Sequence, residues 1–155
     1  MKVVFILKAS AVTAAVVLLA ACDSRIAGED PRADPGNRDS VTLGAKVYAQ
    51  HCAACHGAKL EGQPDWRRRL PNGRLPAPPH DDSGHTWHHP DDVLITITKN
   101  GLVPPYAPAG YESDMPAFAG KLSDEEIFAV LAYLKSHWGK QARADRAEML
   151  RNLSR

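Results

Sequence analysis

Two cysteines and a histidine stand within five positions of one another in the stretch QHCAACHGAK, at Cys52, Cys55 and His56. Side chains of these types form zinc sites, redox disulfides or covalent attachments to haem, so the spacing has to decide among three chemistries. A zinc site needs four ligands, and no second cysteine pair remains to complete one. A redox Cys-x-x-Cys normally opens a helix in a βαβ unit, whereas this motif ends a predicted helix with no strand before it.

The histidine directly after the second cysteine favours the third chemistry. Cys-x-x-Cys-His is the attachment motif of c-type haem, in which both cysteines form thioethers and the imidazole binds the iron. One helical turn from Cys52 to Cys55 puts both sulfurs on one edge of a porphyrin, and His56 then points under the ring. The motif therefore predicts one covalent haem c.

A haem iron held by one histidine needs a ligand on its other face. Of the three methionines, Met1 belongs to a predicted leader and Met149 lies in a polar tail, which leaves Met115 in the stretch SDMPAF. A thioether ligand raises the reduction potential and suits electron transfer. The alternative is that Met115 only fills the core beneath the last core helix.

Two amphipathic helices are predicted on either side of these residues. Ser40 is the predicted cap of the first, which runs through VTLGAKVYAQHC. In KLSDEEIFAVLAYLKSHWG, Ser123 and Glu126 form a capping box and Gly139 provides a C-terminal stop. The apolar residues of this second helix recur at helical spacing: Ile127, Val130, Leu131, Leu134 and Trp138.

The chain between the two helices is predicted to be mostly loop, because it is rich in proline. Within it, the β-branched run of DDVLITITKNG favours a strand on propensity alone. Pro90 and the two aspartates after it suit a helix start, and we predict a helix.

From Val41 to Trp138 the chain resembles the class I cytochromes c, on the stretches GAKVYAQHCAACHG, DMPAF and LSDEEIFAVLAYLKSHW. The resemblance implies an all-α fold with helices packed around a covalent haem and a loop-rich middle segment. It implies that Gly44 and Tyr48 of the first helix meet Val130 and Tyr133 of the last.

The resemblance also implies that a proline carbonyl accepts the proton of the iron-bound imidazole. Pro78 in the stretch APPH is the candidate, with Pro79 close behind. The iron ligands are then His56 and Met115, and Cys52 and Cys55 hold the porphyrin.

The first 21 residues are typical of an export signal, with Lys2 and Lys8 before an apolar run, Ala11 to Ala20, that leads to Cys22. LAAC resembles a bacterial lipobox, which implies an acylated Cys22 as the mature N-terminus; the alternative is an uncleaved membrane anchor. Lipidation also accounts for the third cysteine. Asp23 resembles an inner-membrane retention signal.

Residues 22–40 are almost free of large apolar side chains and are predicted to be a flexible tether. The cytochrome c domain is predicted over residues 41–138. The polar C-terminal tail, residues 139–155, is predicted to have no chemistry, although Ala147, Leu150 and Leu153 share one side of a possible extra helix.

These patterns predict an electron carrier, rather than an enzyme, that serves redox protein partners on the periplasmic side of a bacterial membrane. One alternative is a sensor or reductase with a labile sixth ligand. Another is a copper-handling protein, or a bis-histidine haem, using His80, His85, His88 and His89. The net charge of the chain is close to zero, so the sequence does not indicate the basic surface expected of a nucleic-acid-binding protein.

Overall fold

A computed structural model describes residues 27–155. This part of the chain folds into helices and loops without a β-strand, so the all-α prediction is confirmed. The α-helices are α1 (Arg38–His51), α2 (Ala53–His56), α3 (Asp91–Asn100), α4 (Asp124–Ser136) and α5 (Lys140–Leu153).

The predicted leader and Cys22 lie outside the described residues. Within residues 27–155, no helix has the length and apolar character needed to cross a membrane.

The first and fourth helices cross in direct backbone contact. A Cβ built on Gly44 would lie 1.9 Å from the carbonyl oxygen of Ala129, so only glycine allows α1 to approach α4 this closely. One turn later the rings of Tyr48 and Tyr133 pack with centroids 5.4 Å apart. The implied crossing of the first and last helices of the domain is confirmed.

The helix starts follow capping chemistry. Asn37 caps α1, because its Oδ1 accepts the backbone N–H groups of Asp39 and Ser40, each at 3.1 Å. The prediction of Ser40 as the cap was wrong, since an earlier asparagine can serve the same purpose. The capping box of Ser123 and Glu126 at the start of α4 is confirmed.

The third helix forms in spite of its β-branched residues. Pro90 precedes the first turn, where Asp91 and Asp92 carry favourable negative charge. The hydroxyls of Thr96 and Thr98 donate to carbonyl oxygens four residues earlier, at 2.7 and 2.8 Å. The helix prediction is confirmed.

The C-terminal tail forms a helix that packs on the domain. Helix α4 ends at Ser136, and Gly139, predicted as a stop, instead precedes α5 and donates its N–H to the Asp82 carboxylate at 2.9 Å. Leu150 is fully buried, whereas Leu153 is exposed. The tail is therefore a structural part of the molecule.

The predicted tether, residues 22–40, is folded against the domain over much of its described part. The carbonyl of Gly28 accepts the backbone N–H of Asp91 at 2.8 Å, and the N–H of Asp30 donates to the Asp91 carboxylate at 2.7 Å. Ala33 is fully buried in a short 3-10 turn. The flexible-tether prediction fails here because polar side chains and backbone groups, together with Ala33 packed on Phe128 and Leu131, supply contacts that the composition did not indicate.

A cluster of four charged residues joins the N-terminal segment to three helices. Arg146 of α5 donates to Glu29 and to Asp91, at 2.6 Å in each case. Lys135 of α4 contacts the same two carboxylates, with its Nζ 2.9 Å from Asp91 Oδ2. Two acids and two bases neutralise one another, which makes their burial tolerable.

Candidate haem site

The Cys-x-x-Cys-His motif consists of Cys52, which joins α1 to α2, and the single turn of α2 itself. The backbone N–H groups of Cys55 and His56 both donate to the carbonyl of Cys52, at 3.1 and 2.9 Å. Both thiols are free; Cys52 is half-buried and Cys55 is exposed. Burial, with a smaller effect from Cys55, raises the pKa of the Cys52 thiol to about 11.

The histidine of this turn is buried and has one ring nitrogen engaged. Nδ1 of His56 lies 2.8 Å from the carbonyl oxygen of Pro78. A carbonyl can only accept, so the proton is assigned to Nδ1 and the lone pair to Nε2. Burial lowers the pKa of His56, and the bond to Pro78 opposes that shift only in part. The neutral imidazole therefore presents Nε2 as a metal ligand.

Met115 lies at the edge of the main apolar cluster, in the loop before α4. It is half-buried, and its backbone N–H donates to Ser113 Oγ at 3.1 Å. Cys52 packs against the same cluster, so the structure brings the attachment motif and Met115 to one core. The buried members of the cluster are Val47, Tyr48, Leu60, Phe118, Leu122, Ile127, Val130 and Leu134.

The histidines of the middle loop do not converge on one point. The His80 ring stacks on the His56 ring, with centroids 4.0 Å apart and 25° between the planes. Two imidazoles that bind one iron from opposite sides point their nitrogens at each other, whereas these two rings meet face to face. The stack therefore counts against His80 as the second ligand of a bis-histidine haem.

The other loop histidines pair with aromatic side chains. His85 stacks on Trp66, and His88 stacks on Trp87. His85 also meets His89 edge to face, at 5.3 Å between centroids. No group of three or more histidine, cysteine or acidic side chains in residues 27–155 is placed to hold a metal ion. The copper hypothesis therefore gains no support from this loop.

Next to Met115, ion pairs and a hydrogen bond join two long loops, and these contacts were not predicted from the sequence. Arg74 forms ion pairs with Asp114 and with Glu112, the latter at 2.8 Å. The N–H of Leu75 donates to the Tyr111 hydroxyl at 3.2 Å. The partners stand 36 to 40 residues apart, beyond the reach of helical or strand periodicity.

The donors of this site fit haem c better than they fit a bare metal ion. Cys52 and Cys55 offer two thiols one helical turn apart for thioether formation, and His56 offers one free imidazole nitrogen. The Pro78 carbonyl fixes the tautomer of that imidazole, as outer partners of metal-binding histidines do.

Comparisons with known proteins give the same result. The family model for cytochrome c matches residues 41–138. The chain is 30% identical to the gluconate 2-dehydrogenase cytochrome c subunit of Pantoea cypripedii over 106 residues, which cover 68% of this chain and 22% of that protein. It is 30% identical to the cytochrome c subunit of the alcohol dehydrogenase (quinone) of Gluconobacter oxydans over 99 residues, or 64% of this chain and 19% of the other.

A shorter relative matches more closely over a smaller region. Cytochrome c-551 of Bacillus subtilis is 46% identical over 48 residues, which cover 30% of this chain and 42% of that protein. The chain thus spans less than half the length of each of these relatives. No solved structure matches it significantly. Because the family model covers well over half of the chain, and the attachment turn lies within it, the chain belongs to the class I c-type cytochromes and carries covalently bound haem c.

Proposed function

We propose that this cytochrome carries single electrons through one haem c whose iron is bound by His56 and Met115. Haem c supplies an iron that takes up and releases one electron. The contact of 2.8 Å between His56 Nδ1 and the Pro78 carbonyl carries the proposal, because it leaves Nε2 unprotonated for the iron. It also strengthens the imidazole as an electron donor.

Met115 is proposed as the second axial ligand on its position and its chemistry. Its thioether is a soft donor, and Met115 lies half-buried beside the apolar cluster that Cys52 also contacts. The loop that carries it is held by the Arg74 ion pairs to Asp114 and Glu112. A loop restrained directly before Met115 can keep a weak ligand in place.

The partners are proposed to be membrane-associated redox proteins on the periplasmic side. The relatives are named as cytochrome c subunits of two dehydrogenases and, in Bradyrhizobium, as a cbb3-type cytochrome c oxidase subunit. A protein that passes electrons from a dehydrogenase to an oxidase would be consistent with both kinds of relative.

The membrane attachment is proposed to be an acyl group on Cys22, with Asp23 favouring the inner membrane. Because Gly28 and Asp30 already bond to Asp91, only residues 23–27 lie between the anchor and the folded domain. Five residues span at most about 17 Å when fully extended. The domain would therefore stay close to the lipid surface.

The proposed function is tested by the absorption spectrum of the haem-loaded protein in both redox states. Iron–methionine sulfur ligation gives the oxidised protein a weak charge-transfer band at about 700 nm. We expect the band in the wild type and in the Met149→Ala control, and its loss in Met115→Ala. A wild type without the band that binds carbon monoxide rapidly when reduced would support the sensor or reductase alternative instead.

A further inference from the structure

The ring of His80 covers one face of the His56 imidazole. The two ring centroids are 4.0 Å apart and the planes differ by 25°, which is a stacked contact. The same His80 ring also makes an edge-type contact with the Tyr48 ring, with centroids 6.3 Å apart and 73° between the planes. His80 is therefore packed between the proximal histidine and the α1–α4 crossing.

The backbone of His80 is fixed by two core residues. Its N–H donates to the carbonyl of Leu60 at 2.8 Å, and its own carbonyl accepts the indole N–H of Trp138 at 3.0 Å. Leu60 and Trp138 are both almost fully buried. The residue is thus tied to the core on both sides of its Cα.

The His80 side chain is fixed as well. Its Nδ1 lies 2.8 Å from Thr86 Oγ1, and that hydroxyl in turn lies 3.5 Å from the carbonyl of Pro79. Since the carbonyl can only accept, Thr86 donates to Pro79 and accepts from His80 Nδ1–H. The ring that meets His56 is held by this chain of bonds and cannot turn freely.

We propose that His80 is a positioning residue that sets the rotational orientation of the His56 imidazole. The bond to Pro78 fixes where Nδ1–H points, and a rigid ring against one face restricts the remaining tilt of the plane. The inference rests on the proposed function, in which His56 binds the iron. The plane of an axial imidazole selects which iron d orbital holds the unpaired electron, so a fixed plane gives one electronic state in place of several.

The test uses the oxidised, haem-loaded protein with three replacements of His80. His80→Phe keeps a planar ring, His80→Leu fills similar space without one, and His80→Ala removes the contact. The readout is the order and spread of the haem methyl shifts in proton NMR of the cyanide complex. Cyanide replaces the methionine and is symmetric about its own axis, so these shifts report the plane of the imidazole. His85→Leu, in a residue that stacks on Trp66 and not on His56, is the matched control.

We expect the leucine and alanine variants to change the order of the methyl shifts, and the phenylalanine and control variants to retain it. The inference is overturned if His80→Leu keeps the wild-type order of methyl shifts, even when its stability falls. It is also overturned if the methyl shifts of His80→Phe change as much as those of His80→Leu. If His80→Ala does not incorporate haem, the comparison of His80→Leu with His80→Phe still tests the inference. A wild-type spectrum without a histidine-bound low-spin haem would instead overturn the proposed ligation, and this inference with it.

Discussion

Arg146 Nη2 donates to Asp91 Oδ1 at 2.6 Å, and this bond joins α5 to the first residue of α3. Arg146 lies beyond the matched cytochrome c region, residues 41–138, and its other partner Glu29 lies before it. The two extensions therefore meet on the domain at one set of buried charges. The side chains of Arg146 and Asp91 are only 3% and 2% exposed, so neither charge has water as a substitute partner.

Replacing Arg146 with methionine is expected to lower the free energy of unfolding by about 3–5 kcal/mol. The variant leaves two acids, Asp91 and Glu29, to share the single positive charge of Lys135, and a buried charge that loses its partner is strongly destabilising. Urea denaturation of the haem-loaded protein, followed by circular dichroism, measures the change. Arg143→Met, an exposed arginine on the same helix, should stay within about 0.5 kcal/mol of the wild type. A loss below about 1 kcal/mol for Arg146→Met would contradict the structural role of the cluster.

Within this cluster, Glu29 predicts a contribution to stability that is lost in acid. Burial opposes ionisation of Glu29, but hydrogen bonds and charge from Lys135, and then from Arg146, lower its pKa below the ordinary value. A carboxyl group with a lowered folded-state pKa stabilises the fold above its unfolded-state pKa, about 4.3 for glutamate, and that contribution disappears as the pH falls through the folded-state pKa. Burial raises the pKa of Asp91, which works in the opposite direction.

A Glu29→Gln variant isolates the glutamate's part of this dependence. We expect the stability difference from the wild type to be largest above about pH 5 and to shrink below about pH 4. Denaturation midpoints measured across that range give the result, with the exposed Glu148→Gln as the control. A difference that stays constant with pH would show that Glu29 does not titrate with a lowered pKa.

Local patterns predicted those features of the fold that depend on neighbours in sequence. The Ser123 capping box, the spacing of the α4 core residues and the α3 helix all follow from contacts within four residues, and each is confirmed. The attachment turn is equally local, since Cys52, Cys55 and His56 share one helical turn.

Contacts between segments far apart in the chain could not be predicted from the sequence. Glu29 and Arg146 are 117 residues apart, and composition alone predicted a flexible tether around Glu29 and a polar tail without chemistry around Arg146. A polar segment buries little apolar area, so hydrophobic periodicity carries no sign that its charges will find buried partners. The stacking of His80 on His56 was missed for the same reason, since it depends on how the loop folds back through Thr86 and Trp138.

Loss of the proposed lipid attachment should release the protein from membranes. In the full-length chain expressed with its leader, Cys22→Ala should move most of the haem protein from the membrane fraction to the soluble periplasmic fraction, because the acyl group on Cys22 is the proposed membrane attachment. Mass spectrometry of the mature N-terminus gives an independent measurement, with acyl mass expected only in the wild type. A Cys22→Ala protein that stays in the membrane fraction would favour the uncleaved anchor.

The link between Arg74 and the loop that carries Met115 predicts the strength of the proposed iron–methionine bond. Arg74 pairs with Asp114, the residue before Met115, and with Glu112. Arg74→Ala removes both contacts and lets the loop move away from the haem more often. Exposed ion pairs contribute only modestly to stability. The fraction of oxidised protein in which methionine is not bound to the iron should therefore rise roughly twofold to fivefold.

This change is measured as the pH at which the band at about 700 nm is half lost. The midpoint should move to lower pH in Arg74→Ala, because a looser methionine is displaced at a lower concentration of hydroxide or of a competing base. Arg68→Ala is the matched control, because Arg68 lies in the same loop and its side chain is highly exposed. Within residues 27–155 its side chain makes one ion pair, a long contact of 3.7 Å to Asp65. Equal midpoints in the two variants would mean that the ion pairs of Arg74 do not hold the methionine loop. A midpoint that moves in Arg74→Ala but not in the control would show that Arg74 restrains the proposed Met115 ligand. Arg74 lies in the same loop as Pro78, so this one loop would then act on the ligands of both faces of the iron.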